Sequence, residues 1–203
     1  MAEQNTKMTI GPVTINYPAL FKARKQLNSD KLKYEVDLLI SKKSQKELHA
    51  EIMKHIQAAY LAGKDSKFKG KKPNEIRDFY NPMRDGDKER DTEEYKGHWF
   101  IKAKSDQPPQ VVDIKRKPVI DESEIYSGAI CYVSVNFYAF SEGGGKGIAA
   151  GLNNVLKYKD GKRLSGRPSA ESDFADLDIE VNEDTDDFNF GGEEDEEEYD
   201  FTG

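Results

Sequence analysis

From Glu171 to Gly203 the sequence carries sixteen Asp or Glu residues and not one Lys or Arg. A stretch so charged cannot bury enough apolar surface to offset the entropy of ordering itself, so the folding problem is confined to the residues before it. The composition turns small, Pro-containing and then acidic from Ser165 onward. We therefore expect a folded domain over residues 1–168 and a disordered acidic C-terminal tail over residues 169–203. The same segregation hides a basic body, because all 31 Lys and Arg but only 22 of the 38 Asp and Glu lie in residues 1–170, a formal charge of +9 inside a chain of −7. A basic body with an acidic tail suits a polyanionic ligand with which the tail competes for the same basic surface. A merely solubilising tail is the plainer reading, yet Phe188, Phe190, Tyr199 and Phe201 interleave with these carboxylates, and solubility does not require aromatic rings.

Several classes fall away on composition. With 36% hydrophobic and 34% charged residues, no stretch approaches the roughly 18 consecutive apolar residues of a spanning helix, and no membrane association is expected. The opening residues, MAEQNTKMTI, lack the apolar centre of a secretory signal. The one cysteine, Cys131, rules out an internal disulfide framework or a thiolate-rich zinc site, which points to a reducing, cytoplasmic address.

Periodicity then orders the elements. MTIGPVTINYPAL reads as a short extended segment, since Pro12 and Pro18 forbid a long helix. In KLKYEVDLLISK, Leu32, Tyr34, Val36, Leu38 and Ile40 alternate with Lys31, Lys33, Glu35 and Asp37, which predicts a half-buried strand with a charged outer face. Ser44 and Glu47 stand at capping-box spacing before an amphipathic helix that runs through Leu48, Ile52, Ile56, Ala59 and Tyr60 and stops at Gly63. Residues 64–97 read as polar loops around a short apolar piece, Ile76–Tyr80. Further strands are expected at His98–Lys104, Val111–Lys115 and Tyr126–Phe140, with a closing strand over Ile148–Lys159 in which Leu152–Lys157 is open to a helical turn instead. One substantial helix among strands predicts a mainly β (α+β) fold, and a five-stranded oligonucleotide-binding (OB-fold-like) barrel with inserted loops fits the element count.

The strand faces suggest a ligand surface. Alternation in HWFIKAK sets His98, Phe100, Lys102 and Lys104 opposite Trp99, Ile101 and Ala103, and the lysines mark the first set as solvent-facing. In Tyr126–Phe140 the residues Ala129, Cys131, Val133, Val135, Phe137 and Ala139 form the core side, while Ile130, Tyr132, Ser134, Asn136, Tyr138 and Phe140 face away. Aromatic rings among cations are what a single-stranded polynucleotide needs, because bases stack on rings and ammonium groups meet phosphates. We therefore expect Phe100, Tyr132, Tyr138 and Phe140 to stack on bases and Lys33, Lys102, Lys104, Lys157 and Lys159 to neutralise phosphates. The packed alternative, rings buried beneath the helix or a loop, is equally consistent with alternation. Further basic clusters lie at Lys64, Lys67, Lys69, Lys71 and Lys72 around Phe68, at Lys115–Lys117, and at Lys162, Arg163 and Arg167.

Catalytic patterns fail on their chemistry. SEGGGKG lacks the Ser or Thr after its lysine and the earlier glycine of a phosphate loop, so it reads as a turn. RDGDKERD spaces Asp85, Asp87, Glu89 and Asp91 like calcium ligands, but Arg90 stands where the loop needs glycine. The two helix histidines, His49 and His55, lie on different faces and lack metal-ligand spacing with His98. Neither a metal nor a cofactor is expected. The rival from another class is a metal-dependent nuclease built on Asp113 and Lys115.

Taken together, GHWFIKAKS, VVDIKRKP, IYSGAICYVSVNFYAFS and GKGIAAGLNNVLKYKDGKRLSG, with NPMRDGD between the helix and these strands and the acidic aromatic tail after them, resemble the single-stranded-DNA-binding proteins of tailed bacteriophages. The resemblance covers most of residues 8–203. It implies an oligonucleotide-binding fold with inserted loops and single-stranded DNA held without strong sequence preference. It also implies an acidic tail that regulates binding or recruits phage or host replication proteins, possible self-association on DNA, and a place in the cytoplasm of an infected bacterium. An RNA-binding module is the remaining alternative, since bases of RNA stack in the same way.

Overall fold

The computed structural model describes residues 6–26 and 30–164. The boundary expected near residue 168 and the acidic segment 169–203 lie outside the described residues. The elements are β1 (Lys7–Lys25), β2 (Leu32–Ser41), α1 (Lys46–Gly63), β3 (Phe79–Tyr80), β4 (Arg84–Asp85), α2 (Gly86–Glu89), β5 (His98–Ser105), β6 (Gln110–Val112), β7 (Ile130–Glu142) and β8 (Gly145–Lys159).

Five of the strands close on themselves. β1 pairs antiparallel with both β2 and β7, β2 pairs with β5, β7 pairs with β8, and a short parallel contact of Ala103 and Lys104 with Ala150 and Gly151 joins β5 to β8. The result is the expected mainly β fold, a closed five-stranded oligonucleotide-binding barrel with one substantial helix. Closure depends on β1, which serves two neighbours by changing partner along its length. It is far longer than the short extended segment the prolines suggest, because Pro12 and Pro18, which have no N–H to donate, fall within two of its three register irregularities, Ile10/Val13 and Asn16/Ala19.

Inward-facing residues of every barrel strand are buried, among them Ile10, Leu38, Ile101, Val133 and Ile148, all fully inaccessible. Helix α1 contributes Ile52, Ile56 and Ala59 to the same core, as its 3.6-residue spacing predicts. Burying each of those isoleucines contributes on the order of 2–3 kcal/mol. The helix begins without the expected Ser44–Glu47 capping box: Gln45 is the cap residue, and its side-chain amide accepts from the Ser41 N–H (2.8 Å) and donates to the Pro12 carbonyl (2.7 Å), stitching the helix start to β1 and β2.

Two expected strand boundaries shift, and the open choice in β8 is decided. β7 starts at Ile130, four residues later than expected, because Tyr126–Ala129 form a turn whose Gly128 N–H bonds Ile15. β6 stops at Val112, where Asp113 closes a turn by accepting from the Lys117 N–H (2.8 Å). β8 remains extended through Leu152–Lys157 and absorbs one extra residue opposite Ser134/Val135, so the helical alternative does not form. The glycine cluster is the β7–β8 hairpin turn. Gly143 (φ 60) and Gly144 (φ 83) sit between the Glu142–Gly145 pair, and this two-residue turn requires left-handed backbone at both positions.

Candidate nucleic-acid interface

β7 separates its side chains as the alternation predicts. Cys131, Val133, Val135 and Phe137 are buried inside the barrel, and burial pushes the Cys131 thiol up to about 12. The opposite side of the strand presents rings in two groups with Ser134 and Asn136 between them. At one end Tyr132 meets Tyr158 of β8 edge-to-face at 5.5 Å, and a Cβ on Gly11 of β1 would lie only 2.6 Å from the Tyr132 ring. At the other end Phe140 lies 6.2 Å from Tyr80, and Tyr138 stands 47% exposed. Tyr138 is thus the freest of the four expected stacking rings, while Phe140 and Tyr132 are half-buried against a neighbour.

Phe100 is not where the sequence reading put it. It does point out of the barrel on β5, but its exposure is zero, because Tyr95 covers it at 4.9 Å and Leu39 packs beside it in a second small core outside the barrel. Arg84 and Arg90 complete the cover, their guanidinium carbons 5.0 and 5.2 Å from the Phe100 ring centre. A ring enclosed on this scale packs; it has no open face for a base.

The charged outer face expected on β2 is likewise buried, with Glu35 at 5% and Asp37 at 1% exposure. Burying carboxylates requires partners, and the register supplies them: Asp37 stands opposite Lys102 and Glu35 opposite Lys104 across β2 and β5. The Lys102 ammonium reaches Asp37 at 3.3 Å, the Lys104 ammonium reaches Glu35 at 3.6 Å, Arg24 reaches Glu35 at 3.6 Å, and the Tyr95 hydroxyl donates to Asp37. Burial nevertheless holds Lys104 below its ordinary pKa. Lys33 is bound to Asp106 at 2.6 Å. Lys157 lies between Asp160 (3.0 Å) and Glu124 (3.4 Å); burial works against its charge, but these two hydrogen bonds leave its pKa raised. Of the five lysines expected to meet phosphate, four are therefore matched by carboxylates of the protein. Lys159, beside the Tyr158 ring at 5.7 Å, has no such partner among the described residues.

Residues that periodicity did not single out complete this surface. Tyr80 enters through β3, which pairs in parallel with β8, and Arg84 enters through β4, which pairs with Phe100. Both lie in the segment read as loop, where two-residue strands leave no periodic trace. Arg84 is tied to Glu89 (2.5 Å), and Asp85 and Asp87 share Lys42, so three of the four carboxylates at calcium-ligand spacing are held by cations. Asp113, the candidate nuclease residue, caps its own turn, and among the described residues no group of three or more His, Cys, Asp or Glu gathers where a metal would sit. Among the same residues no helix is long and apolar enough to cross a membrane.

Comparison with known proteins agrees with this geometry. A family model described as the single-stranded-DNA-binding protein of Enterobacter phage Enc34 matches residues 6–189. A putative protein, p50, of Acyrthosiphon pisum secondary endosymbiont phage 1 is 28% identical over 173 residues, covering 79% of this chain and 87% of the relative. The solved structure of the Enc34 protein in complex with single-stranded DNA superposes with a TM-score of 0.67 at 25% identity, over 79% of this chain and 90% of that one. The single-stranded-DNA-binding protein gp2.5 of bacteriophage T7 shares the fold, with a TM-score of 0.55 at 20% identity over 87% of this chain and 96% of that one.

Proposed function

The chain belongs to the family of the Enterobacter phage Enc34 single-stranded-DNA-binding protein, and from that premise we propose that it coats and protects single-stranded DNA, largely without sequence preference, in phage DNA replication, recombination or repair. The observation that carries this reading is the outer side of β7, where a closed oligonucleotide-binding barrel presents Tyr138, Phe140 and Tyr132 around small polar side chains. Rings on such a surface stack on any base, since every base has a π-face, and this gives affinity without sequence readout. The binding residues retained from the sequence reading are Tyr132, Tyr138, Phe140 and Lys159. Phe100 is assigned instead to holding the outer cover of β5 in place. The protein acts by binding alone, in the cytoplasm of the infected host cell, with the acidic segment 169–203 competing for the DNA face or recruiting replication proteins.

Fluorescence anisotropy of a labelled oligo-dT, titrated with the full chain against the matching duplex and RNA strand, tests the reading. Preference for the single DNA strand is expected, with affinity that falls as salt rises. Equal binding to all three would leave a generic polyanion binder, and preference for the RNA strand would favour the RNA-binding alternative.

A further inference from the structure

The ion pairs on β2 and β5 raise a question of charge. If Lys33, Lys102, Lys104 and Lys157 are matched internally, the phosphates of a strand lying on Tyr138 need other cations. The place to find them is the loop that leaves α1. Helix α1 ends directly on β7, so closely that a Cβ on Gly63 would fall 2.1 Å from the Ala139 Cβ. The chain that follows is thereby set next to Tyr138, and a groove of about 260 Å³ between them is lined by Gly63, Ser66, Lys67, Tyr138 and Ala139.

This loop carries Lys64, Lys67, Lys69, Lys71 and Lys72 on a fixed backbone. Phe68 is its anchor, 1% exposed and packed at 5.7 Å from Tyr60 and 5.4 Å from Phe79. The Gly70 N–H bonds the Lys64 carbonyl (2.9 Å), and the Tyr60 hydroxyl donates to the Lys71 carbonyl (3.0 Å). Lys69 (φ 53) and Gly70 (φ 76) turn the loop through left-handed backbone. None of the five ammonium groups has a carboxylate partner among the described residues. They differ in this from Lys102 and Lys104, and each has its full charge to offer.

Resting on the single-stranded-DNA reading above, we propose that residues 64–72 are the phosphate rail of this protein: a strand whose base stacks on Tyr138 runs its backbone along Lys64, Lys67, Lys69, Lys71 and Lys72. The loop is held before the ligand arrives, so little further ordering is required on binding. Each phosphate neutralised releases a condensed counterion, which makes the contribution visible in the salt dependence of binding.

The test compares two charge-matched triple variants of the full chain. One is Lys67→Gln, Lys69→Gln, Lys71→Gln; the other is Lys115→Gln, Arg116→Gln, Lys117→Gln at the turn after β6. In oligo-dT titrations over a salt series, the loop triple should lower the slope of log K against log salt by about 2, at about 0.7 for each single-strand phosphate contact. The turn triple should leave that slope near the wild-type value. Acylation of lysines by an activated ester, read by mass spectrometry, should show Lys67, Lys69 and Lys71 protected by oligo-dT while Lys115 and Lys117 are not. Equal slope changes in the two triples, or equal protection, would overturn the rail while leaving single-stranded-DNA binding intact. A wild-type chain that does not bind oligo-dT would overturn the parent reading and the rail together.

Discussion

β5 and β7 each turn a ring and polar side chains away from the barrel, but only one of the two sides is open. Outside β5, Phe100 lies beneath Tyr95, Arg84 and Arg90, and Lys102 and Lys104 are spent on Asp37 and Glu35. Outside β7, Tyr138 stands in solvent beside a loop of lysines with no acidic partner among the described residues. The difference lies in what is laid over each strand. β5 is covered by a second layer built from β4 and the residues around Tyr95, whereas the loop after α1 leaves Tyr138 exposed. An exposed aromatic next to uncompensated cations is available to a ligand; a buried one next to compensated cations is structure.

The sharpest way to break this comparison is Phe100→Ala. Removing a fully buried ring should cost about 3–5 kcal/mol in denaturant unfolding, while the folded variant keeps its affinity for oligo-dT. A variant that unfolds like the wild type but loses the DNA would restore Phe100 to the ligand surface and erase the distinction between the two strands. Tyr138→Ala is the converse. Its stability should stay within about 0.5 kcal/mol of the wild type, and its single-strand affinity should fall by about 1–3 kcal/mol. Unchanged affinity there would move the stacking platform to Tyr132 and Tyr158 at the other end of β7.

How far these roles were legible follows from the same contrast. The alternation in Cys131–Phe140 set the inside and outside of β7 correctly, and one long helix among strands led to the barrel. Alternation states which way a side chain points and is silent about what lies over it. Tyr95 and Arg90 reach Phe100 from a segment of short turns, where no period exists to betray them. Charge compensation was partly within reach. Glu35 and Asp37 alternate at the same spacing as Lys102 and Lys104, and once the two strands are paired the matches follow. The pairing itself depends on barrel closure, a long-range property that local pattern does not carry. Gly63 marked the end of α1, yet nothing local indicates that its missing side chain brings the helix onto Ala139 and so sets the lysine loop beside Tyr138.

The smallest expected effect, a pH dependence, probes the cover over β5 through the buried hydroxyl of Tyr95. Burial first, and then its hydrogen bond to Asp37, hold the Tyr95 phenol well above the usual tyrosine range. In the unfolded chain the same group releases its proton near pH 10. Above that pH the unfolded state binds fewer protons at this position than the folded one, so the Tyr95 contribution to stability is constant below about pH 10 and falls as pH rises further, by up to about 1.4 kcal/mol per unit. Cys131 adds a loss of the same sign, since burial raises its thiol too. Tyr95→Phe separates the two contributions. At pH 7 the variant should be less stable, by about 1–3 kcal/mol, because Asp37 loses a donor in a buried setting. The gap should narrow as urea unfolding is repeated toward pH 11, where only the wild type carries the Tyr95 cost. A gap that stays constant with pH would mean that the phenol ionises equally in both states. The layer over Phe100 would then be open to water, and the contrast between β5 and β7 would be one of degree.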